Sequence, residues 1–134
     1  MRLSWYRLGF LLTIALLVTG CSSKKEEPKF KVSGTVEMDG KPLPDGEITF
    51  MGEPGTIPAS FTVKDGSFEG ELTGGKKKVE VRSYKTEPAP KSATGGVSES
   101  KVNIIPDRFN SNSALTAEVS ESGITPKKFV VASK

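Results

Sequence analysis

Hydrophobic positions along the chain fall into two regimes. Residues 8–18 (LGFLLTIALLV) are predominantly apolar and carry no charge, behind Arg2 and Arg7. From Lys31 onward apolar residues recur at every second position, the period of a half-buried strand. KVSGTVEM puts Val32, Gly34, Val36 and Met38 on one face, and GEITFMG does the same with Ile48 and Phe50. IPASFTVK turns Phe61 and Val63 inward, SFEGEL turns Phe68, Gly70 and Leu72, and KKKVEVRSY turns Val79 and Val81. ALTAEVS (Leu115, Ala117, Val119) and KKFVVAS complete the set. Asp39-Gly40 and Asp65-Gly66 are two-residue turn signals, where a positive φ costs little. Phe61 to Leu72 is the strongest hairpin pattern, and no stretch keeps a 3.6-residue period over a useful length. About seven short strands, spaced by Gly, Pro and Asp turns near every ten residues, predict an all-β immunoglobulin-like sandwich over residues 31–134.

One long gap interrupts the alternation, residues 86–113 (TEPAPKSATGGVSESKVNIIPDRFNSNS). A gap of this length in a small domain is characteristically functional or mobile. Its first half, rich in Pro, Ser and Gly, is expected to be mobile. Its second half carries Val102, Ile104, Ile105 and Phe109, expected to pack back on the sheet.

The apolar run near the start changes how the charge is read. A basic head, an eleven-residue hydrophobic middle and small residues at Thr19-Gly20 form the layout of a secretory signal over residues 1–20. The run is too short for an ordinary membrane-spanning helix, which needs about 20 apolar residues. The whole chain has 19 Lys+Arg, 16 Asp+Glu and no His, for a net charge of +3. Without Arg2 and Arg7 the excess falls to +1, and the remaining charges of both signs are interspersed. Nucleic acid is therefore not an expected partner. The single cysteine, Cys21, excludes a disulfide within the chain.

Val18-Thr19-Gly20-Cys21 resembles the lipobox of bacterial lipoproteins. The resemblance implies cleavage between Gly20 and Cys21, a diacylglycerol on the Cys21 sulfur and a fatty acid such as palmitate on its new amino group. The chemistry calls for a thiol, because thiolate is a good nucleophile near neutral pH. Residues 21–30 (CSSKKEEPKF) then form a polar tether. The resemblance further implies an exported protein lipid-anchored to the cell envelope. Ser22 stands where an Asp would signal retention in the inner membrane, so the outer membrane, facing the periplasm, is expected.

VSGTVEMDGKPLPDGEITF resembles the opening of carboxypeptidase regulatory-like domains, through Gly34, Val36, Gly40, Pro42, Leu43 and Ile48. Those domains are seven-stranded sandwiches of transthyretin-like topology, and they are not themselves catalytic. IPDRFNSNSALTAEVSESG is similar to a segment of small lipoproteins of this class from planctomycete bacteria. Together these resemblances cover most of residues 31–131 and imply a structural or protein-interaction module, not an enzyme.

Chemistry that depends on histidine is excluded, including zinc sites and general bases built on it. Alternation places Glu69 and Glu71 on the exposed face of their strand. Asp39, Asp45 and Asp65 lie in turns without the ligand density of a calcium site. Gly74-Gly75-Lys76-Lys77-Lys78 lacks the spacing of a phosphate-binding loop. No cofactor or metal is expected, and no catalytic residue stands out. Two functional readings remain: a membrane-anchored interaction module for an envelope protein, contacting it through 86–113, and a glycan-binding module. The second relies on Tyr84 and Phe109 as a stacking platform beside Arg108. It requires both aromatic rings on one exposed face.

Overall fold

The seven alternating segments all become strands, and four further strands join them. The computed structural model describes residues 26–89 and 99–134. The signal segment, Cys21, the first half of the tether and residues 90–98 of the long gap lie outside these. The strands are β1 Lys29–Met38, β2 Lys41–Pro42, β3 Asp45–Met51, β4 Ala59–Lys64, β5 Ser67–Thr73 and β6 Gly75–Arg82. They continue with β7 Tyr84–Pro88, β8 Glu99–Asn103, β9 Thr116–Ser120, β10 Gly123–Thr125 and β11 Lys128–Val131. The unforeseen ones are β2, β7, β8 and β10, which are either very short or exposed on both faces.

Hydrogen bonding runs in the order β10-β9-β6-β3-β4-β5-β1-β11, with β2 on β1 and with β7–β8 as a separate two-stranded ribbon. All pairs are antiparallel except β1 with β11. The β4–β5 ladder consists of a single pair, Lys64 opposite Ser67. The sheet therefore folds over at this hairpin into two layers, β10-β9-β6-β3-β4 and β5-β1-β11, an all-β sandwich-like architecture.

Phenylalanines from both layers meet between them. Phe50 on β3 lies 5.7 Å from Phe68 on β5 and 6.1 Å from Phe129 on β11, centroid to centroid. These tilted and edge-on geometries are the favoured ones for aromatic pairs. Val32, Val36, Leu43, Ile48, Val63, Leu72, Val79, Val81, Ile105, Ala117, Val119, Ile124 and Val131 complete the buried core. The inward residues anticipated from alternation are thus buried, with Phe61, Met38 and Leu115 half-buried against them.

The expected Phe61–Leu72 hairpin is only partly realised, and the reason is steric. The Phe61 ring lies directly over Gly70, so that even a methyl group there would overlap three ring carbons. Phe61 thereby fills the space where β4 would have paired with β5, and the strands diverge beyond the turn. Both Asp-Gly turns are as anticipated: Asp39 and Gly40 have φ of 53° and 80°, Asp65 and Gly66 of 50° and 76°. Ser133, through its hydroxyl and its N–H, holds the Asp39 carboxyl below its ordinary value. The N–H lies 3.0 Å from Asp39 Oδ1, tying the end of the chain to the turn.

β1 gives one edge first to β5 (Lys29–Thr35) and then to β2 (Glu37–Met38). At the hand-over three backbone bonds close a ring: Val36 N–H to Gly66 O (2.8 Å), Gly66 N–H to Leu43 O (2.7 Å) and Leu43 N–H to Val36 O (3.0 Å). This end of the sandwich also carries Asp39-Gly40 and the start of β3. The opposite end carries Lys29 opposite Thr73, Gly75 opposite Val119, and the loop 52–58 between β3 and β4.

Gly70→Ala is expected to lose about 1–3 kcal/mol by overpacking, and clearly less in a Phe61→Ala background. Urea denaturation of the four members of the cycle measures the coupling, and strictly additive losses would contradict the packing of Phe61 on Gly70.

Candidate functional site

The stretch anticipated as a loop is built from a ribbon and a cap. β7 and β8 pair from Tyr84 opposite Asn103 to Pro88 opposite Glu99. Water bathes both faces: every residue of β7 is exposed, as is all of β8 except half-buried Asn103. Tyr84 (52% exposed) and Val102 (42%) face opposite sides of the ribbon, since Tyr84 stands across from Asn103 and Val102 from Lys85. Val102 thus does not pack on the sheet as expected, because the ribbon leaves the body before reaching it. The Lys85–Glu87 ion pair, at 3.9 Å and well exposed, contributes little.

The root of the ribbon is firmly held. Asn103 Oδ1 accepts the N–H of Ser83 (3.3 Å) and of Ile105 (3.1 Å). Ser83 Oγ donates to Asp45 O (2.6 Å), and Ile104 N–H donates to Ser83 O (2.8 Å). Ile105 is buried. The ribbon therefore starts at the end of the sandwich that holds the Asp-Gly turns.

Beyond the root, residues 105–113 cap the outer face of β6. Asp107–Phe109 form one 3-10 turn. Buried Asn110 donates from Nδ2 to Ile105 O (2.9 Å) and Pro106 O (3.1 Å), while its Oδ1 accepts from Ser111. Lys78 Nζ donates to Ser111 O (3.1 Å), pinning the cap to β6. The Arg108 guanidinium carbon sits 4.9 Å from the centre of the Phe109 ring, which is half-buried against the core. Phe109 and Arg108 are thus engaged with each other and with the fold. Tyr84 is the one fully exposed aromatic among the described residues. The structure does not give the glycan platform the two exposed rings it requires.

Under the cap lies a charged cluster that alternation alone did not single out. Glu80 is only 3% exposed, 2.7 Å from Arg82 Nη2 and 3.3 Å from Lys78 Nζ. The signal was present in the sequence: Lys78, Glu80 and Arg82 share one face of a strand by period two. What hides the carboxylate is a segment some thirty residues further on. Lys77 turns inward with Val79 and Val81 and is 8% exposed, its Nζ donating to Thr73 Oγ1 at 2.9 Å.

An open groove of about 850 Å³ runs between β4 and the β5-β1-β11 layer, lined by Ser60, Thr62, Lys64, Ser67, Glu69 and Lys128 among others. Glu69 is its one carboxylate, and Glu69 and Glu71 are exposed as anticipated. Among the described residues no three of His, Cys, Asp or Glu come together as metal ligands would. What the arrangement offers is strand edges: among the described residues, the outer edges of β7 and β8 in their two-stranded ribbon both carry backbone groups with no neighbouring strand.

No family model, curated protein or solved structure matches the chain.

Glu80→Gln keeps the shape but leaves Arg82 and Lys78 without a counter-charge. Removing one partner of a fully buried pair costs about 3–5 kcal/mol. Arg82 and Lys78 are 28% and 40% exposed, so solvent screening reduces the expected loss to about 1–3 kcal/mol. Chemical denaturation of the variant checks this, and a change within 0.5 kcal/mol, the ordinary range of surface substitutions, would count against the cluster.

Proposed function

We propose that the protein is a membrane-tethered, non-enzymatic interaction module of the cell envelope, a lipoprotein whose β7–β8 ribbon is the contact surface for a partner protein. One observation carries this reading above the others: a ribbon with both faces in water and, among the described residues, both edges unpaired, mounted on a root in which Ser83, Asn103 and Ile105 are tied down. An isolated two-stranded ribbon is marginally stable in water. A partner that adds a strand to either edge supplies backbone hydrogen bonds along its length, with side chains on alternate faces giving specificity. Such a partner meets Tyr84, Thr86 and Lys101 on one face and Lys85 and Val102 on the other.

The tether follows from the resemblance of Val18-Thr19-Gly20-Cys21 to a lipobox. One acyl chain anchors only marginally, at about 0.8 kcal/mol per buried methylene, whereas two or three hold stably. Ser22 favours the outer membrane, with the module in the periplasm. The resemblance to carboxypeptidase regulatory-like domains fits a binding rather than a catalytic role, and the sandwich-like fold is compatible with it.

Intact mass spectrometry of the protein from native membranes is expected to give an N-terminus at Cys21 carrying lipid mass, absent from Cys21→Ala. An unmodified N-terminus in the unsubstituted protein would remove the anchor. For the contact surface, residues 86–101 are replaced by a two-residue turn, which keeps Ser83 and Asn103 at the root. The shortened protein is expected to fold with its thermal midpoint nearly unchanged and to lose partners in pull-downs from solubilised envelope. Equal recovery by both forms would sink the ribbon proposal.

A further inference from the structure

The two ends of the sandwich differ, and the difference fixes which way the module faces. The ribbon leaves from the end that holds both Asp-Gly turns, through Ser83 beside Asp45. β1 begins at the other end, at Lys29, eight residues after Cys21. Eight extended residues span at most about 29 Å, so an anchor at Cys21 holds Lys29, and with it this end of the sandwich, within that distance of the bilayer.

That end presents the most exposed large hydrophobic side chain among the described residues. Ile57 is 93% exposed, on the loop 52–58 (GEPGTIP). The loop is stiff. Thr56 donates to Glu53 O from its N–H (3.0 Å) and its Oγ1 (2.7 Å), closing a turn over Pro54 and Gly55, and Gly55 takes a φ of 91°. Pro58 follows Ile57 directly and restricts it to extended backbone. The isoleucine is therefore displayed by two prolines and a hydrogen-bonded turn instead of collapsing onto the core. Lys29, Lys31 and Lys76 stand exposed at the same end among exposed Glu53, Glu71 and Glu118, and the lysine stems are long enough to lie along a lipid surface while their ammonium groups stay in water. A lone exposed apolar residue is ordinary on a protein surface. Here its rigid display coincides with the end nearest the anchor.

We infer that the end formed by loop 52–58, Lys29–Lys31 and Lys76 is a membrane-contacting face, with Ile57 inserted at the headgroup–acyl boundary and the β7–β8 ribbon directed away from the bilayer. The inference rests on the anchor proposed above and adds an orientation to it. A second contact restricts the swing of the domain on its tether and holds the ribbon toward partners across the compartment.

The test places a nitroxide on Ile57→Cys and, separately, on Val102→Cys, in the full-length protein produced in a lipidating bacterial host and kept in its membranes. The signal of the unsubstituted protein, which includes any label on Cys21, is subtracted. Accessibility to oxygen and to a water-soluble nickel chelate then reports depth. Position 57 is expected to be rich in oxygen and shielded from nickel, and position 102 to show the opposite. Ile57→Ser is expected to leave the fold and the lipid mass unchanged while raising nickel access at a label on Lys76→Cys several-fold. Aqueous values at both 57 and 102 would overturn the face. Intact mass on the same sample reports the anchor independently. If the mass shows no lipid, the same probes are read with vesicles of equal phosphatidylcholine and phosphatidylglycerol added. Depth at position 57 there supports the face without the anchor, and aqueous values overturn it.

Discussion

Three backbone hydrogen bonds joining Val36, Leu43 and Gly66 in a ring set the course of the chain through both layers. Each residue comes from a different segment: β1, the β2–β3 link and the β4–β5 turn. At such a junction three strands compete for one edge, and buried N–H and C=O groups must still be paired. The ring satisfies three donors and three acceptors without a fourth segment. It lets β5 stop and β2 begin along the same edge of β1, leaving the other edge for β11. Asp65 N–H, donating to Pro44 O at 3.0 Å, then starts β3 and β4 as neighbours in the opposite layer. The ring needs both chain reversals at Asp39-Gly40 and Asp65-Gly66, and those need positive φ, which Asp and Gly tolerate. Leu43, fully buried beneath the ring, seals that end of the core.

From this constraint the legible and illegible parts of the sequence separate. Period two says which face a residue takes, so Val32, Ile48, Phe50, Leu72, Val79 and Val119 were placed correctly from the pattern alone. It does not say which strand lies alongside. Phe61 and Gly70 read as facing positions of one hairpin, yet their strands part company because Gly70 admits the Phe61 ring. Nor does the period distinguish a face that meets a core from one that meets water. Val102 reads as inward, but its strand belongs to a ribbon with no layer against it. The converse holds for Glu80, an outward residue by pattern that is only 3% exposed, held between Arg82 and a Lys78 that is itself bonded to Ser111 far along the chain. Lys77 sits inward near the start of β6, where a long stem lies in the core edge while its ammonium reaches the hydroxyl of Thr73. Asn103 and Asn110, which hold the ribbon root and the cap, carry no periodic signal. Their role lies in side-chain bonds to backbone groups that only the folded chain brings near.

The same architecture separates two demands that conflict in a small domain. A thin core must be sealed at both ends, while a binding surface needs unsatisfied edges. The strands of the body meet the first demand: each central strand has neighbours on both edges, and the two layers close over the phenylalanine cluster. On the function proposed above, the second is moved outside the body altogether, onto a ribbon that contributes nothing to the core. Sequence change in the ribbon is thereby uncoupled from stability, since Ser83 and Asn103 fix its base and none of the buried side chains belongs to it.

Conformational entropy explains why such a ribbon is better rooted than free. Fixing a residue's backbone costs about 1–2 kcal/mol, so a fully disordered segment of ribbon length would spend much of its interaction energy on ordering. A segment packed into the body would need no ordering, but it would have no edge to offer. The ribbon lies between these limits. Its two strands order each other and its root fixes their direction, while the outer edges keep backbone groups directed at solvent. A partner strand of the kind proposed would then gain hydrogen bonds against backbone that is already extended. The body keeps its own stability whether or not the partner is there.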